Sequence, residues 1–313
     1  MNDELKFQFK LYQNNFKQPL RTHHGIWELR EGIIISLTNP EGITTRGEIA
    51  PLPWFGSETI AQALAFCQQL GDATTKEAIL TIPDHLPCCQ FALESALLAL
   101  DLEVTNDNYP QDLSFCYLLP TGAEALTAWQ ELYQGYGATT FKWKIGVLTL
   151  SEEIKILKQL TTDLPAQVKL RLDANGGLNL AQVQQLLTVT DSLQGIEFIE
   201  QPLPKDNFTN MVQLSREHPT LLALDESVAS FSQLKQAYEQ GWSGVYVIKA
   251  AIMGFPTRLR QFCQNHALDV VFSSVLETEV GREAVFKLTR QLHHPRAVGF
   301  GVQHLFHSKS ANS

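Results

Sequence analysis

The chain has 313 residues and a formal net charge of −9, and charged residues make up 18% of it. The acidic balance disfavours a nucleic-acid partner, and no stretch approaches the roughly 18 consecutive apolar residues of a membrane span. Five scattered cysteines without a CxxC pair favour reduced core thiols over disulfides or zinc. We therefore expect a cytoplasmic globular protein with neither a nucleic-acid nor a membrane partner, and composition leaves its oligomeric state open.

The first third of the chain has the pattern of an α+β domain. LKFQFKLY, GIIISLTNP and TTRGEIAPLP are strand-like segments separated by turn residues, which predicts a small antiparallel sheet. ETIAQALAFCQQL and LPCCQFALESALLALDL follow with helical spacing. We predict a capping domain over residues 1–110 and a second domain over 111–300, with the tail over 301–313 as a candidate segment for return to the first domain.

From Ser114 onward, strand patterns alternate with helical patterns, which is typical of a parallel sheet and, in closed form, of a barrel. One of the helices is predicted to begin near Ser151, with Glu153 in its first turn. The predicted strands lie near 114–119, 139–145, 168–173, 196–200, 221–225, 244–249, 268–272 and 297–300.

Five successive strands of this series end on a charged residue. The five are Lys144, Asp173, Glu200, Asp225 and Lys249, which lie 29, 27, 25 and 24 residues apart by subtraction. That spacing fits one strand, one helix and two short loops. Barrel enzymes carry their chemistry at the C-terminal ends of the strands, where these charges fall. The pattern therefore predicts a catalytic site.

The segment TTFKWKI places two lysines on one face of a strand. Lys142 and Lys144 are two residues apart, so they share a face, while Phe141, Trp143 and Ile145 share the other. If the apolar face packs against the outer helices, the lysines point into the barrel mouth. Two ammonium groups are costly there unless acids face them.

Asp173, Glu200 and Asp225 end three neighbouring strands and supply those acids. At about 4 Å and an effective dielectric of about 20, each pair of carboxylates repels by about 4 kcal/mol, so a cation is needed. Carboxylates without His or Cys favour Mg²⁺, with Mn²⁺ as an alternative. Asn175, two residues beyond Asp173, is a candidate to bind a metal-bound water.

The remaining lysines predict the reaction type. Lys144 is on the second predicted barrel strand and Lys249 on the sixth, so they face each other across an eight-stranded barrel. A carboxylate substrate on the metal would have an amine on each side, which suits proton removal next to the carboxylate. The metal and one lysine would stabilise the enediolate while the other lysine takes the proton. A single charge at a strand end is usually a structural ion pair, but the joint pattern favours a catalytic metal site.

These motifs resemble those of the enolase superfamily, in its muconate-lactonizing-like branch. KWK at 142–144 is similar to the K-x-K motif of the superfamily. The segments RLDAN, FIEQP and ALDES are similar to those that carry its three metal-binding acids. The segment VIK is similar to the one that carries its opposing lysine. The resemblance implies an α+β cap on a modified (β/α)₈-type barrel of the (β/α)₇β form. It also implies Mg²⁺ with a lysine base.

Within the superfamily, the chain resembles the o-succinylbenzoate synthase family. GEIAPLPWFGSET at 47–59 is similar to its capping-domain loop, Arg171 fits its R-x-D-x-N form, and FSSVLETEVG at 272–281 is similar to its serine-rich segment. The family dehydrates 2-succinyl-6-hydroxy-2,4-cyclohexadiene-1-carboxylate in menaquinone or phylloquinone synthesis. By resemblance, Lys144 is the base, Lys249 stabilises the intermediate and Lys142 assists at the carboxylate. The implied substrate contacts are Pro53, Trp54, Ser273, Ser274 and Gly299.

Two other functions stay open. An N-acylamino acid racemase, dipeptide epimerase or muconate cycloisomerase would use the same fold and the same opposed lysines. A dipeptide epimerase is expected to carry an aspartate pair near the last strand, and VGFGVQ has none. A non-catalytic protein that kept the fold is disfavoured because all six charged positions are present.

Overall fold

The computed structural model describes residues 4–22, 25–103, 113–292, 296–302 and 305–306, which form a cap and a barrel. The strands are β1 (Glu4–Thr22), β2 (Gly25–Thr38), β3 (Thr44–Ile49), β4 (Ala73–Thr75), β5 (Phe115–Leu119), β6 (Thr140–Lys144), β7 (Lys169–Asp173), β8 (Ile196–Glu200), β9 (Leu222–Leu224), β10 (Val245–Ile248), β11 (Val270–Phe272) and β12 (Val298–Gly301). The helices are α1 (Ile60–Leu70), α2 (Lys76–Leu80), α3 (Pro87–Glu103), α4 (Ala125–Tyr136), α5 (Leu150–Asp163), α6 (Leu180–Thr190), α7 (Phe208–Glu217), α8 (Phe231–Glu239), α9 (Pro256–Asn265) and α10 (Glu279–Leu292).

The cap is an antiparallel sheet in the order β3-β2-β1-β4, with α3 packed on one face. Alternate residues of β1 and β2, including Phe7, Ile33 and Ile35, are fully buried, as the period of two requires for a half-buried sheet. Gly47 allows α3 to approach, because a Cβ there would lie 2.1 Å from the carbonyl oxygen of Ala92. The antiparallel sheet predicted for this region is confirmed.

The barrel is an all-parallel sheet of eight strands in the order β12-β5-β6-β7-β8-β9-β10-β11. A parallel bridge between Ser273 and Gly299 joins its two ends, beyond β11 and within β12. One helix, from α4 to α10, lies in each of the seven intervals between successive strands. Within the described residues the domain is therefore a (β/α)₇β barrel, and the predicted fold is confirmed.

The start of α5 differs from the prediction. The helix begins at Leu150 rather than Ser151, because Thr149 and Glu152 form a reciprocal capping box. Glu153, which the prediction placed in the first turn, accepts hydrogen bonds from the backbone amides of residues 146–148 at 2.9–3.0 Å. It therefore fixes the loop that follows β6, the strand that ends on Lys144.

Contacts between cap and barrel are made at the C-terminal end of the barrel strands. Glu48 of β3 accepts hydrogen bonds from the backbone amides of Thr278 and Gly281, at the N-terminus of α10. Phe306 forms an antiparallel bridge with Phe16, and their rings stack with centroids 4.8 Å apart. The predicted domain boundary, after residue 110, and most of the tail lie outside the described residues. None of the described helices is long and apolar enough to cross a membrane.

Candidate active site

The charged residues predicted from the strand ends lie side by side at the barrel mouth. Register pairs Lys144 with Asp173 on the neighbouring strand, and Asp173 with Glu200 on the next. Asp225 follows β9 directly. Since in-register neighbours in a parallel sheet point the same way, these side chains share one face. Buried Phe141 and Trp143 occupy the opposite face of β6, as predicted.

Lys142 joins two of the three acids. Its Nζ donates to Oδ2 of Asp173 at 3.0 Å and to Oε1 of Glu200 at 2.7 Å. Burial by itself would lower the pKa of Lys142, but Asp173, Glu200 and Asp225 together raise it well above its usual range. Lys142 is therefore a fixed positive charge between these carboxylates.

The pKa values of Asp173 and Glu200 are shifted in opposite directions. Burial opposes ionisation of Asp173, but the ammonium groups of Lys142 and Lys144 hold its pKa below the usual range. Burial and the neighbouring Asp173 carboxylate raise the pKa of Glu200 to about 8. Burial and the Asp173 carboxylate thus oppose ionisation of Glu200 even though Lys142 contacts it.

Lys249 lies on the other side of the barrel mouth. It follows β10, four strands from β6 in the eight-stranded order, so Lys144 and Lys249 stand on opposite walls as predicted. Its Nζ donates a hydrogen bond to Oδ1 of Asp225. The same Nζ lies 4.2 Å from the ring centroid of Phe55, which belongs to the cap. From the sequence, Phe55 could either cover a cyclic substrate or pack the cap on the barrel, and a contact with Lys249 was not predicted.

Asn175 connects the acid cluster to a fourth carboxylate. Its φ of 44° is in the left-handed region, which Asn tolerates, and its backbone amide donates to Oδ1 of Asp173 at 3.1 Å. Its Nδ2 donates to Oε1 of Glu226 at 3.0 Å. Burial and Asp225 raise the pKa of Glu226 to about 7. Glu226 was missed as a site residue, although its place directly after Asp225 was a usable signal.

The donor set fits a hard divalent cation. Its donors are all carboxylate or amide oxygens, and two of these, Oδ1 of Asn175 and Oε2 of Glu226, are buried without a hydrogen-bond partner. In the part of the chain that the structure describes, no three Asp, Glu, His or Cys side chains converge closely enough to hold one ion in this arrangement. Lys142 lies between Asp173 and Glu200 and contacts one carboxylate oxygen of each.

Arg171 has a different position from the one its motif suggested. It lies one layer deeper in the barrel than Asp173, and its Nε donates to Oε2 of Glu197 at 2.6 Å. Its guanidinium also stacks over the ring of Phe198 at 4.8 Å. Arg296 completes this group by donating to Oε1 of Glu197 at 2.8 Å and to Asp269 at 2.6 Å. Arg171 therefore belongs to an ion-pair network below the site and makes no hydrogen bond to the three acids.

The predicted substrate contacts near the last strand divide into two groups. Ser273 and Gly299 form the bridge that closes the barrel, and a Cβ at Gly299 would lie 3.0 Å from Oγ of Ser273. Ser274 instead donates its hydroxyl to Oε2 of Glu277 at 2.9 Å and accepts a hydrogen bond from the amide of Leu276 at 2.8 Å. Its hydroxyl is thus engaged in the loop itself.

The cap loop after β3 supplies the two remaining candidates. Pro53 and Trp54 lie in a single 3₁₀ turn that ends at Phe55. The Trp54 ring packs edge-on against Trp27 of the cap, with centroids 4.8 Å apart. The Phe55 ring contacts a lysine of the barrel, Lys249.

Comparison with known proteins identifies both halves of the chain. The family described as "Enolase C-terminal domain-like" matches residues 124–305, and that described as "MenC, N-terminal domain" matches residues 8–100. An o-succinylbenzoate synthase from Thermosynechococcus vestitus is 39% identical over 303 residues, which cover 95% of this chain and 92% of that protein.

Solved structures agree with these matches. The crystal structure of an o-succinylbenzoate synthase from Thermosynechococcus elongatus BP-1, with magnesium in its active site, superposes with a TM-score of 0.90. It is 39% identical, and the match covers 97% of this chain and 95% of that chain. The L-Ala-D/L-Glu epimerase from Bacillus subtilis superposes with a TM-score of 0.81 over 97% of this chain and 91% of that one. At 18% identity it shows the shared fold alone.

Proposed function

This chain belongs to the enolase superfamily and, within it, to the o-succinylbenzoate synthase family, and we propose that it dehydrates 2-succinyl-6-hydroxy-2,4-cyclohexadiene-1-carboxylate to o-succinylbenzoate. It is accordingly a carbon–oxygen lyase of the hydro-lyase type. The observation that carries the proposal is the pair of lysines, Lys144 and Lys249, on opposite walls of a barrel mouth that also holds three acids. That arrangement suits removal of a proton next to a carboxylate.

Lys144 is the proposed base. It has no hydrogen-bond partner among the described residues, and the loop that follows it is fixed by Glu153. Its neutral amine would take the proton from the carbon next to the carboxylate. The same group, now an ammonium, would protonate the departing hydroxide as the carbon–oxygen bond breaks, so that water leaves and Lys144 returns to its starting form.

Lys249 and Lys142 are proposed to stabilise negative charge on the substrate rather than to transfer the proton. Lys249 would stabilise negative charge from the face opposite Lys144. Lys142, released from Asp173 and Glu200, would lie beside the substrate carboxylate. The resemblance to the family implies this assignment, and the present contacts of Lys142 with two carboxylates support it.

Asp173, Glu200 and Asp225 would hold Mg²⁺, with Mn²⁺ as an alternative, and Asn175 would orient a metal-bound water. Bound there, the cation would hold the substrate carboxylate and stabilise the charge that develops on it. The magnesium in the active site of the synthase from Thermosynechococcus elongatus supports this choice. Pro53, Trp54, Ser273 and Gly299 remain proposed substrate contacts, while the hydroxyl of Ser274 is already engaged.

We also propose that the reaction serves menaquinone synthesis, with phylloquinone synthesis as the alternative, and that it takes place in the cytoplasm. The match to the MenC N-terminal family supports the first proposal. The second is supported by the five cysteines, which are all free and buried.

The test is turnover of the cyclohexadiene substrate by purified protein with Mg²⁺, followed by ultraviolet absorbance. Lys144→Ala and Lys249→Ala should each abolish turnover while circular dichroism shows that the fold is intact. Lys169→Ala is a matched control, because Lys169 is an exposed lysine at the other end of β7. Near-normal turnover by either active-site variant would refute the role assigned to that lysine.

A racemase or epimerase of the same superfamily is the second candidate. It is favoured by one observation, since two lysines on opposite walls can remove and return a proton on either face of a carbon atom. The same preparation should therefore be tested with N-succinyl amino acids by exchange of the α-proton in deuterated water. Faster exchange with these substrates than turnover of the cyclohexadiene would reverse the order of the two candidates.

A further inference from the structure

Phe55 is the cap residue that reaches a lysine of the proposed chemistry. Its ring centroid lies 4.2 Å from Nζ of Lys249, within the range of a cation–π contact. We propose that Phe55 is a positioning residue for Lys249, and that its ring holds the ammonium group on the wall opposite Lys144. This inference rests on the proposed function for its kinetic consequence, but the contact itself can be tested without turnover.

The surroundings of Lys249 explain why such a contact is needed. The lysine side chain is only 11% exposed, and its single hydrogen-bond partner among the described residues is Asp225. A lysine has a flexible four-carbon stem, so one partner does not fix the direction of the ammonium group. Asp225 draws the group toward the acid cluster, and the Phe55 ring attracts it from a second direction.

An aromatic ring has an advantage over a second acid at this position. The face of the ring attracts a cation through its quadrupole but offers no strong hydrogen-bond acceptor. The ammonium group therefore keeps donors available for a substrate, which a second carboxylate would occupy. A leucine at this position would cover the lysine equally well but would lack the attraction.

The backbone around Phe55 is held from both sides. Arg30 of β2 donates to the carbonyl oxygen of Pro51 at 2.8 Å, and its Nε donates to that of Leu276, in the loop after β11, at 3.3 Å. On the far side of the turn, Glu58 accepts hydrogen bonds from the first amides of α3 at 2.9–3.0 Å. The ring is thus placed by contacts to both cap and barrel, which is the rigidity that a positioning residue requires.

Gly56 makes the turn that presents the ring. Its φ of 90° lies in the left-handed region, and its amide donates to the carbonyl oxygen of Pro53. Leu52 is fixed in turn by a 2.7 Å hydrogen bond from its amide to Oγ of Ser57. As a result, adjacent aromatic side chains diverge: Trp54 packs on Trp27, and Phe55 points to Lys249.

The kinetic test separates positioning from substrate covering. Phe55→Leu should lower kcat by about tenfold, which is the effect of about 1.4 kcal/mol, with little change in KM. Phe55→Tyr, which keeps the aromatic face, should restore kcat. Phe9→Leu is the control, since it removes an aromatic ring of the cap that packs beside Phe7 and has no place in the proposed site, and it should leave kcat close to that of the wild type. A higher KM for Phe55→Leu with unchanged kcat would overturn the proposal, because it would show that the ring only covers substrate.

Replacement of Phe55 by pentafluorophenylalanine is a sharper variant, and it is suited to the case in which Phe55→Leu does not fold. The fluorinated ring has nearly the same shape but the opposite quadrupole. It should reduce kcat at least as much as Phe55→Leu does. Wild-type kcat with the fluorinated ring would exclude a cation–π role.

A double-mutant cycle on stability tests the contact without any turnover. Phe55→Leu should lower the melting temperature of the wild type more than it lowers that of Lys249→Met, because the second background has no cation over the ring. Equal effects in the two backgrounds would overturn the positioning role. Positive coupling in a protein without synthase activity would instead contradict the proposed function and leave the contact between Phe55 and Lys249 intact.

Discussion

The barrel contains two clusters of buried charge that differ in how completely they are paired. Below the barrel mouth, the two carboxylate oxygens of Glu197 accept hydrogen bonds from Arg171 and Arg296, one from each. Arg296 also forms an ion pair with Asp269. Burial opposes ionisation of Glu197, but both guanidinium groups hold its pKa below the usual range. At the mouth, burial and neighbouring acids instead raise the pKa values of Glu200 and Glu226.

This difference separates a cluster of paired ions from the cluster that we propose to be reactive. In the lower network each carboxylate pairs with a guanidinium group, although Nη2 of Arg171 is buried without a hydrogen-bond partner. Removal of one member therefore leaves buried charges without partners. The upper cluster has more acids than its lysines neutralise, and it retains two buried oxygens without hydrogen-bond partners. A cation and a substrate are what such a cluster can bind. Unbalanced charge at the barrel mouth is therefore the physical feature that supports the proposed site.

Among substitutions of the acids, Glu200→Gln should have the largest effect on activity. It removes a proposed metal ligand, so turnover should fall by more than about 100-fold. The melting temperature in EDTA should not fall, because the neutral amide relieves repulsion from Asp173 while its oxygen still accepts from Lys142. Turnover assays and thermal unfolding measure the two effects. A variant with wild-type turnover would remove Glu200 from the proposed metal site.

Glu197→Gln, on the same strand, should behave in the opposite way. It leaves the guanidinium groups of Arg171 and Arg296 facing a neutral partner, which should lower the free energy of unfolding by about 3–5 kcal/mol. The folded fraction should keep a kcat close to that of the wild type, since no described contact joins Glu197 to the three acids. Denaturant titration measures the loss. If kcat fell as far as in Glu200→Gln, the two clusters would not be separable.

The pH dependence of stability should also separate paired from unpaired acids. Burial and the Glu48 carboxylate raise the pKa of Glu277 to about 7, so the folded protein keeps a proton on it that the unfolded chain releases near 4.5. The stability contributed by this group should be present below pH 4.5 and lost as pH rises toward 7, by about 3 kcal/mol at most. The contribution of Glu197 to stability depends on pH in the opposite direction, because it is lost as pH falls.

Denaturant titrations of wild type and Glu277→Gln between pH 5 and 8, in EDTA, isolate the contribution of Glu277. The difference in unfolding free energy between wild type and variant should decrease across this range. A constant difference would show that the carboxyl group is ionised throughout.

Ser274→Ala should have the smallest effect. Loss of the hydrogen bonds to Glu277 and Leu276 should cost about 1 kcal/mol of stability, with KM unchanged. Ser273→Ala is the matched comparison, because Ser273 lies at the bridge that closes the barrel. Steady-state kinetics and thermal unfolding of both variants give the answer. A raised KM in Ser274→Ala would restore the substrate contact that the motif suggested.

Sequence periodicity was sufficient to predict the barrel strands and the charges at their ends. Each of the five charged residues lies at or next to the C-terminal end of its strand, because strand length and loop length limit where a buried strand can carry a charge. The N-cap of α5 is Thr149, two residues before Ser151, since both are suitable N-cap types and only the structure shows which one pairs with Glu152.

Residue types and their spacing alone therefore determined the parallel sheet, the common strand face of Lys142 and Lys144, and the grouping of the acids at the strand ends. All three depend on the periodicity of apolar residues and on the order of the strands. Tertiary structure alone decided which charged side chains form ion pairs with one another. Arg171 and Asp173 share a strand face, yet one meets Glu197 and the other Lys142. Phe55 and Lys249 are far apart along the chain and meet only because the cap folds over the barrel mouth. Which charges remain unpaired is set by such distant neighbours, and a linear pattern does not contain them.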